Sequence, residues 1–224
     1  MSSRTAWVDD LENPTVAQVL VGDFVFYAGN PHAGVAKELL YNLPERMLAI
    51  VNTDEWRNRI ETVHKGSIEK IKRYSFKKDF EDLNRNHIES FLSTLPEGYE
   101  LKRIDATLAK KPSLHEISED FTVQFNSIDD YINRGVGFCI LYDGQVVCGA
   151  SSYSIYDEGI EIEIGTHPTH RRKGLATVAA AALILDCLDR GMYPSWDAAN
   201  LESVKLAQKL GYILEKPYDT YYIK

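Results

Sequence analysis

Arg171, Arg172, Lys173 and Gly174 stand between an alternating stretch, Gly159–Thr166, and an alanine-rich apolar run that begins at Leu175. Three cations and a glycine where a strand turns into a helix make an anion site. The first amides of a helix have no intrahelical partner, and the helix dipole favours negative charge beside them. Gly174, lacking a Cβ, lets the backbone close on a bulky diphosphate. Just upstream, Glu161 and Glu163 share one strand face by period-2 alternation, with Ile160, Ile162 and Ile164 on the other. Two carboxylates so placed are expected to repel each other and raise one pKa toward that of a useful base. The same alternation also suits a plain solvated face.

Two common phosphate loops are excluded by the residues present. A P-loop closes on Gly-Lys-Ser/Thr, whereas Gly174 is followed by Leu175 and Ala176. A dinucleotide fingerprint needs three spaced glycines, and this stretch supplies one. Arg171-x-x-Gly174-x-Ala176 instead resembles the acetyl-CoA pyrophosphate motif of the GNAT N-acetyltransferase superfamily. Asn200-x-x-Ser203, ahead of Lys209-Leu210-Gly211-Tyr212, resembles that family's second motif. With Pro194-Ser195-Trp196-Asp197-Ala198, the likeness extends to the branch containing zwittermicin A resistance proteins, and it covers residues 99–224.

The resemblance implies a set of roles. The backbone of Arg171, Arg172, Lys173, Gly174, Leu175, Ala176 and Thr177 would hold the diphosphate of acetyl-CoA, a co-substrate. Ile164, Gly165 and Thr166 would bond the pantetheine arm as an added strand. Asn200 and Ser203 would touch the same arm, although Asn200 also reads simply as a helix N-cap. Glu163 is the first choice of general base, acting directly or through water, and Glu161 the second. Amides near Gly165 and Thr166 would receive the developing oxyanion. Many relatives carry a tyrosine acid where this chain has Ala207; Ser203 or Tyr212 could replace it, or the thiolate could leave unprotonated.

These residues need elements to position them. A strand is expected near Gln18–Tyr27, then a helix after Asn30-Pro31, a strand at Met47–Val51 and a helix from Thr53-Asp54. A strand at Lys70–Phe76 and a helix over Asp79–Leu95 follow, closed by Pro96-Glu97-Gly98. Trp7, Phe24, Phe26 and Trp56 are expected in the core of this first part. Beyond it come a strand (Tyr99–Asp105), a helical stretch (Ser113–Gly135) and a hairpin turning at Asp143-Gly144. Next are the glutamate strand, a helix from about Gly174 to Arg190, a strand (Tyr193–Ala198), a helix capped by Asn200, and a terminal strand. The fold class is α/β (α+β): a mixed, mostly antiparallel twisted sheet of GNAT type flanked by helices, with an N-terminal α/β extension. Residues 1–98 are expected to form the acceptor-side domain and 99–224 the acetyl-CoA-binding catalytic domain.

The whole chain of 224 residues is 44% hydrophobic and 26% charged, as expected of a globular protein. Its net charge of −8 excludes a general nucleic-acid binder and would draw in a cationic amine. No apolar run is long enough to span a membrane, and the first residues lack a signal core, so a cytoplasmic protein without membrane contact is expected. Cys139, Cys148 and Cys187 have neither metal nor disulfide spacing and are expected to be buried. His167 and His170 lack a third ligand, so no metal is expected. The function expected is acetyl transfer from acetyl-CoA to a primary amine of a small molecule, and a homodimer is the one assembly considered. The alternative is a non-catalytic acyl-CoA-binding sensor or scaffold on the same fold.

Overall fold

The computed structural model describes residues 4–224, and they form two compact units. The first runs to Arg73 and takes in Pro217–Lys224; the second is Tyr74–Lys216. The division therefore falls at Arg73, not at the Pro96–Gly98 stop. The end of the chain returns to the first unit because the last strand pairs there, Thr220–Ile223 against Ile50–Met47.

In the first unit β1 (Arg4–Val8), β2 (Val16–Val21), β3 (Phe24–Gly29), β4 (Met47–Ile50), the last strand and β5 (Ile68–Phe76) lie side by side in the order β1-β2-β3-β4-last-β5. The single strand expected at Gln18–Tyr27 is a hairpin, because Gly22 takes a positive φ and turns the chain. α1 (Ala36–Tyr41) links the parallel pair β3 and β4. α2 (Asp54–Val63) starts where Thr53 accepts from the Trp56 amide. The core gathers Val25, Tyr27, Leu40, Ala49, Trp56, Ile60 and Tyr221. Trp56 is fully buried as expected, but Trp7 and Phe26 are 38% and 39% exposed. Alternation along β3 turns Val25 and Tyr27 inward, so Phe24 and Phe26 take the other face.

The second unit contains α3 (Arg85–Ser90), β6 (Tyr99–Arg103), α4 (Pro112–His115), α5 (Ile128–Arg134), β7 (Gly137–Tyr142), β8 (Gln145–Tyr156) and β9 (Gly159–Thr166). α6 (Leu175–Asp189), β10 (Tyr193–Ser195), β11 (Asp197–Ala198) and α7 (Leu201–Lys209) follow; the last strand, Leu214–Ile223, whose end pairs in the first unit, is β12. The helices expected over 79–95 and 113–135 are broken into short helical pieces. Pro112, which donates no amide, opens one piece, and Asn84 and Ser127 cap others. The sheet order is β10-β9-β8-β7-β6, antiparallel except where β9 and β10 run parallel. Asp143 and Gly144 both take positive φ at the β7–β8 turn, the geometry an Asp-Gly hairpin requires. Nearly every side of α6 is buried, and Ala179, Ala180 and Ala181 let it lie against the sheet. All three cysteines are buried, with their thiols pushed up to about 12 by burial.

Candidate active site

The feature that shapes the site is a parting of strands. β10 pairs with β9 for three rungs, Tyr193–Ser195 against Gly159–Glu161. After Trp196 the chain leaves, and Asp197 and Ala198 pair with Ser75 and Tyr74 instead. The one strand expected over 193–198 is therefore two. Beyond Glu161, β9 runs on to Thr166 with no further β10 rung among the described residues.

That stretch leads into the cradle. Pro168–His170 form one 3-10 turn; then Arg172 (φ 61) and Gly174 (φ 79) take left-handed conformations on either side of Lys173. Left-handed residues near a helix start turn successive amides toward one point, which is an anion nest. No side chain caps α6, and its first return bond runs from the Val178 amide to the Gly174 carbonyl at 3.3 Å. The amides of Leu175, Ala176 and Thr177 precede that bond and face the same opening. Nothing lies within 4 Å of where a Cβ on Gly174 would stand, so there is room for a diphosphate. Arg171, Arg172 and Lys173 are exposed and enter no ion pair among the described residues. Arg171 Nε donates to the Thr166 carbonyl at 3.3 Å, and Lys173 Nζ to the Tyr99 hydroxyl at 2.8 Å.

On the face opposite α6, Glu161 and Glu163 stand in line as alternation required. Glu161 lies opposite Ser195 on β10 and Ser154 on β8; Glu163 lies opposite Ser151. Lys78 Nζ reaches Glu161 Oε1 at 3.1 Å, and Ser118 Oγ donates to Glu163 Oε1 at 2.8 Å. Burial holds the Glu161 carboxyl above its ordinary range; Lys78 and a hydrogen bond from Ser195 oppose the shift, and the charge of Asp197 adds to it. The leading cause is thus loss of water, not the repulsion between the two glutamates that the sequence suggested. Lys78, Ser118, Tyr156, Ser195 and Asp197 complete this face, and sequence reasoning assigned none of them a role. Ser195 and Asp197 lie inside the Pro194–Ala198 stretch whose likeness to the family is plain in the sequence. Lys78 belongs to the 1–98 stretch expected on the acceptor side, yet it sits in the second unit.

Asn200 caps α7, its Oδ1 accepting from the Ser203 amide at 2.9 Å. Ser203 Oγ accepts from the indole of buried Trp196 at 3.0 Å, so its hydroxyl has a structural partner. Ala207 is fully buried in the core cluster that also holds α6, where a tyrosine ring would find no room. Tyr212 is buried as well: its hydroxyl donates to the Pro194 carbonyl at 2.5 Å and its pKa is driven well up by burial. It packs under the helix end and is shielded from any substrate. On the side of Gly165 that faces away from α6, an added Cβ would meet Ile117 Cγ2 at 2.7 Å. Among the described residues, no group of three or more His, Cys, Asp or Glu is arranged to hold a metal. No helix among them is long and apolar enough to cross a membrane.

Comparison with known proteins places this geometry. A family model described as GNAT acetyltransferase matches residues 2–221. A crystal structure of a GCN5-related N-acetyltransferase-like protein from Streptococcus suis superposes with a TM-score of 0.91. It is 40% identical, with 99% of this chain and 88% of that one covered. A GCN5-related N-acetyltransferase from Kribbella flavida shares the fold at a TM-score of 0.62 and 16% identity, over 98% and 88% of the two chains. An uncharacterised N-acetyltransferase of Bacillus subtilis, YdfB, is 29% identical over 182 residues. That match takes in 80% of this chain and 66% of YdfB, just under two thirds of the relative's length. With its family model spanning almost the whole sequence, and with a splayed strand pair leading into an uncapped helix, this chain belongs to the GNAT acetyltransferase family, a family of acyltransferases.

Proposed function

We propose that the Tyr74–Lys216 unit binds acetyl-CoA and transfers its acetyl group to a primary amine of a small molecule. The observation that carries this reading is the stretch of β9 beyond its last β10 rung, which leads into the Arg172–Gly174 nest. An extended pantetheine arm can add to that stretch as a strand, while the amides of α6 take the diphosphate. The chain's residues have separable tasks. Arg171, Arg172 and Lys173 neutralise phosphate charge. Glu161 would take the amine's proton, with Glu163 as second choice. Expectation from the sequence ranked them the other way. Glu161 is favoured because burial raises its carboxyl toward the working range of a base, and Lys78 holds its orientation. The excess of carboxylates, net charge −8, favours a cationic acceptor.

The test is release of free thiol from acetyl-CoA against a panel of small amines, aminoglycosides and peptides. Turnover with at least one small amine is expected, and Glu161→Gln should keep CoA affinity while losing turnover. The burial of Ala207, which leaves the usual tyrosine acid without a place, favours the second reading, an acyl-CoA-binding sensor. In that case calorimetry would show CoA binding and no amine would release thiol.

A further inference from the structure

We propose that Tyr156 is a further catalytic residue, and that Tyr156, Ser195 and Glu161 form a relay carrying the acceptor amine's proton to the departing sulfur. This rests on the acetyl-transfer reading above. Tyr156 closes β8, opposite Gly159 of β9. A Cβ on Gly159 would stand 2.7 Å from the Tyr156 hydroxyl oxygen, so the phenol lies across a bare glycine and reaches past β9 to β10. There its oxygen is 2.7 Å from Ser195 Oγ. Ser195 is fully buried and stands directly opposite Glu161 in the β9–β10 register, on the same face as that carboxylate. Lys78 closes the other side, its Nζ 3.1 Å from Glu161 Oε1 and 5.5 Å from the centre of the Tyr156 ring. The charge of Asp197 also acts on Glu161.

The donor directions follow from what each group can do. An ionised carboxylate only accepts, so the Ser195 O–H points at Glu161 and the Ser195 oxygen accepts from the Tyr156 O–H. At rest both hydroxyl protons point toward Glu161. Once Glu161 has taken the amine proton, the chain inverts. The Glu161 proton passes to the Ser195 oxygen, the Ser195 proton to the Tyr156 oxygen, and the Tyr156 proton to the sulfur that leaves with the thioester's bonding pair. Three O–H bonds break; two O–H bonds and one S–H bond form. The amine's proton is thereby delivered to the thiol, and Glu161 is ionised again for the next turnover. Ser195 is also the last β10 residue paired with β9, so the relay stands where the strands part. It supplies an acid on the face opposite α6, where the buried position 207 cannot, and Tyr156 is 36% exposed.

The experiment compares the full chain with Tyr156→Phe and Ser195→Ala, using acetyl-CoA and the best amine of the panel. Both variants should lose roughly a hundredfold in kcat, the scale of general acid–base assistance, with CoA affinity by calorimetry within about twofold of wild type. The wild-type solvent isotope effect should show a curved proton inventory that straightens in Tyr156→Phe, a change that a merely structural role would not produce. In the absence of CoA, carboxyl 13C titration should show the Glu161 midpoint rising in Ser195→Ala, because a donor to the carboxylate is gone. Wild-type turnover in Tyr156→Phe, or a loss matched by lost CoA affinity, would overturn the relay alone. A wild-type chain that binds no CoA would sink the transfer reading and the relay with it.

Discussion

Lys173 rests on Tyr99: its ammonium donates to the phenol oxygen at 2.8 Å, and the phenol lies 2.9 Å from His170 Nδ1. The order of donors leaves the Tyr99 O–H pointing at a neutral His170, whose pKa is lowered by burial and by the charges of Lys173 and His167. The cation that the cradle would offer to a phosphate is thus parked one side chain away, at an exposed site from which it is easily recruited. A charge-assisted hydrogen bond is worth about 1.5–3 kcal/mol, so Lys173→Ala should weaken CoA binding by about tenfold or more. Tyr99→Phe, which releases the lysine, should leave affinity equal or tighter; isothermal calorimetry reads both.

Gly174 holds φ at +79 with open space where a Cβ would go, so its requirement is conformational and not steric. Gly174→Ala should cost about 1–2 kcal/mol, the penalty of the left-handed region for a residue with a Cβ. Arg172 sits at φ 61 and already bears that strain, so Arg172→Gly should hold or raise stability while weakening CoA binding. Urea denaturation alongside calorimetry separates the two effects.

The bond from Trp196 to Ser203 makes a prediction that a purely catalytic serine would not. Ser203→Ala leaves a buried indole N–H without its acceptor, which should cost about 1–3 kcal/mol of stability. Asn200→Ala removes the cap of α7 and should cost about 1 kcal/mol. If Ser203→Ala unfolds at the wild-type midpoint, the serine is not holding Trp196.

Glu161 links the site to pH. Its carboxyl titrates above its ordinary 4.5 in the folded chain, chiefly through burial. Between the unfolded and folded values the folded state therefore carries the extra proton, and stability falls as pH rises through that window. Glu161→Gln removes this loss. Relative to wild type it should be more stable near neutral pH, with the difference vanishing below pH 4.5, as followed by denaturant midpoints across the range. A difference that stays constant with pH would show that the carboxyl is not perturbed.

Local patterns decided much of this protein. Alternation put Glu161 and Glu163 on one face, Asp143-Gly144 made the hairpin, Asn200 capped its helix, and the cationic glycine turn at 171–174 stood at a helix start. Each depends on a handful of adjacent residues whose backbone preferences are strong. Tertiary structure decided what depends on distant pairing. Trp7 and Phe26 look like core in sequence, but strand register faced them outward. The last strand crossed to β4 and moved the unit boundary to Arg73. Above all, Lys78, Tyr156, Ser195 and Glu161 lie up to 117 residues apart in the chain and meet because β10 pairs with β9 for three rungs and Gly159 leaves room for a phenol to cross. No local preference encodes that meeting; it exists only when the strands lie side by side.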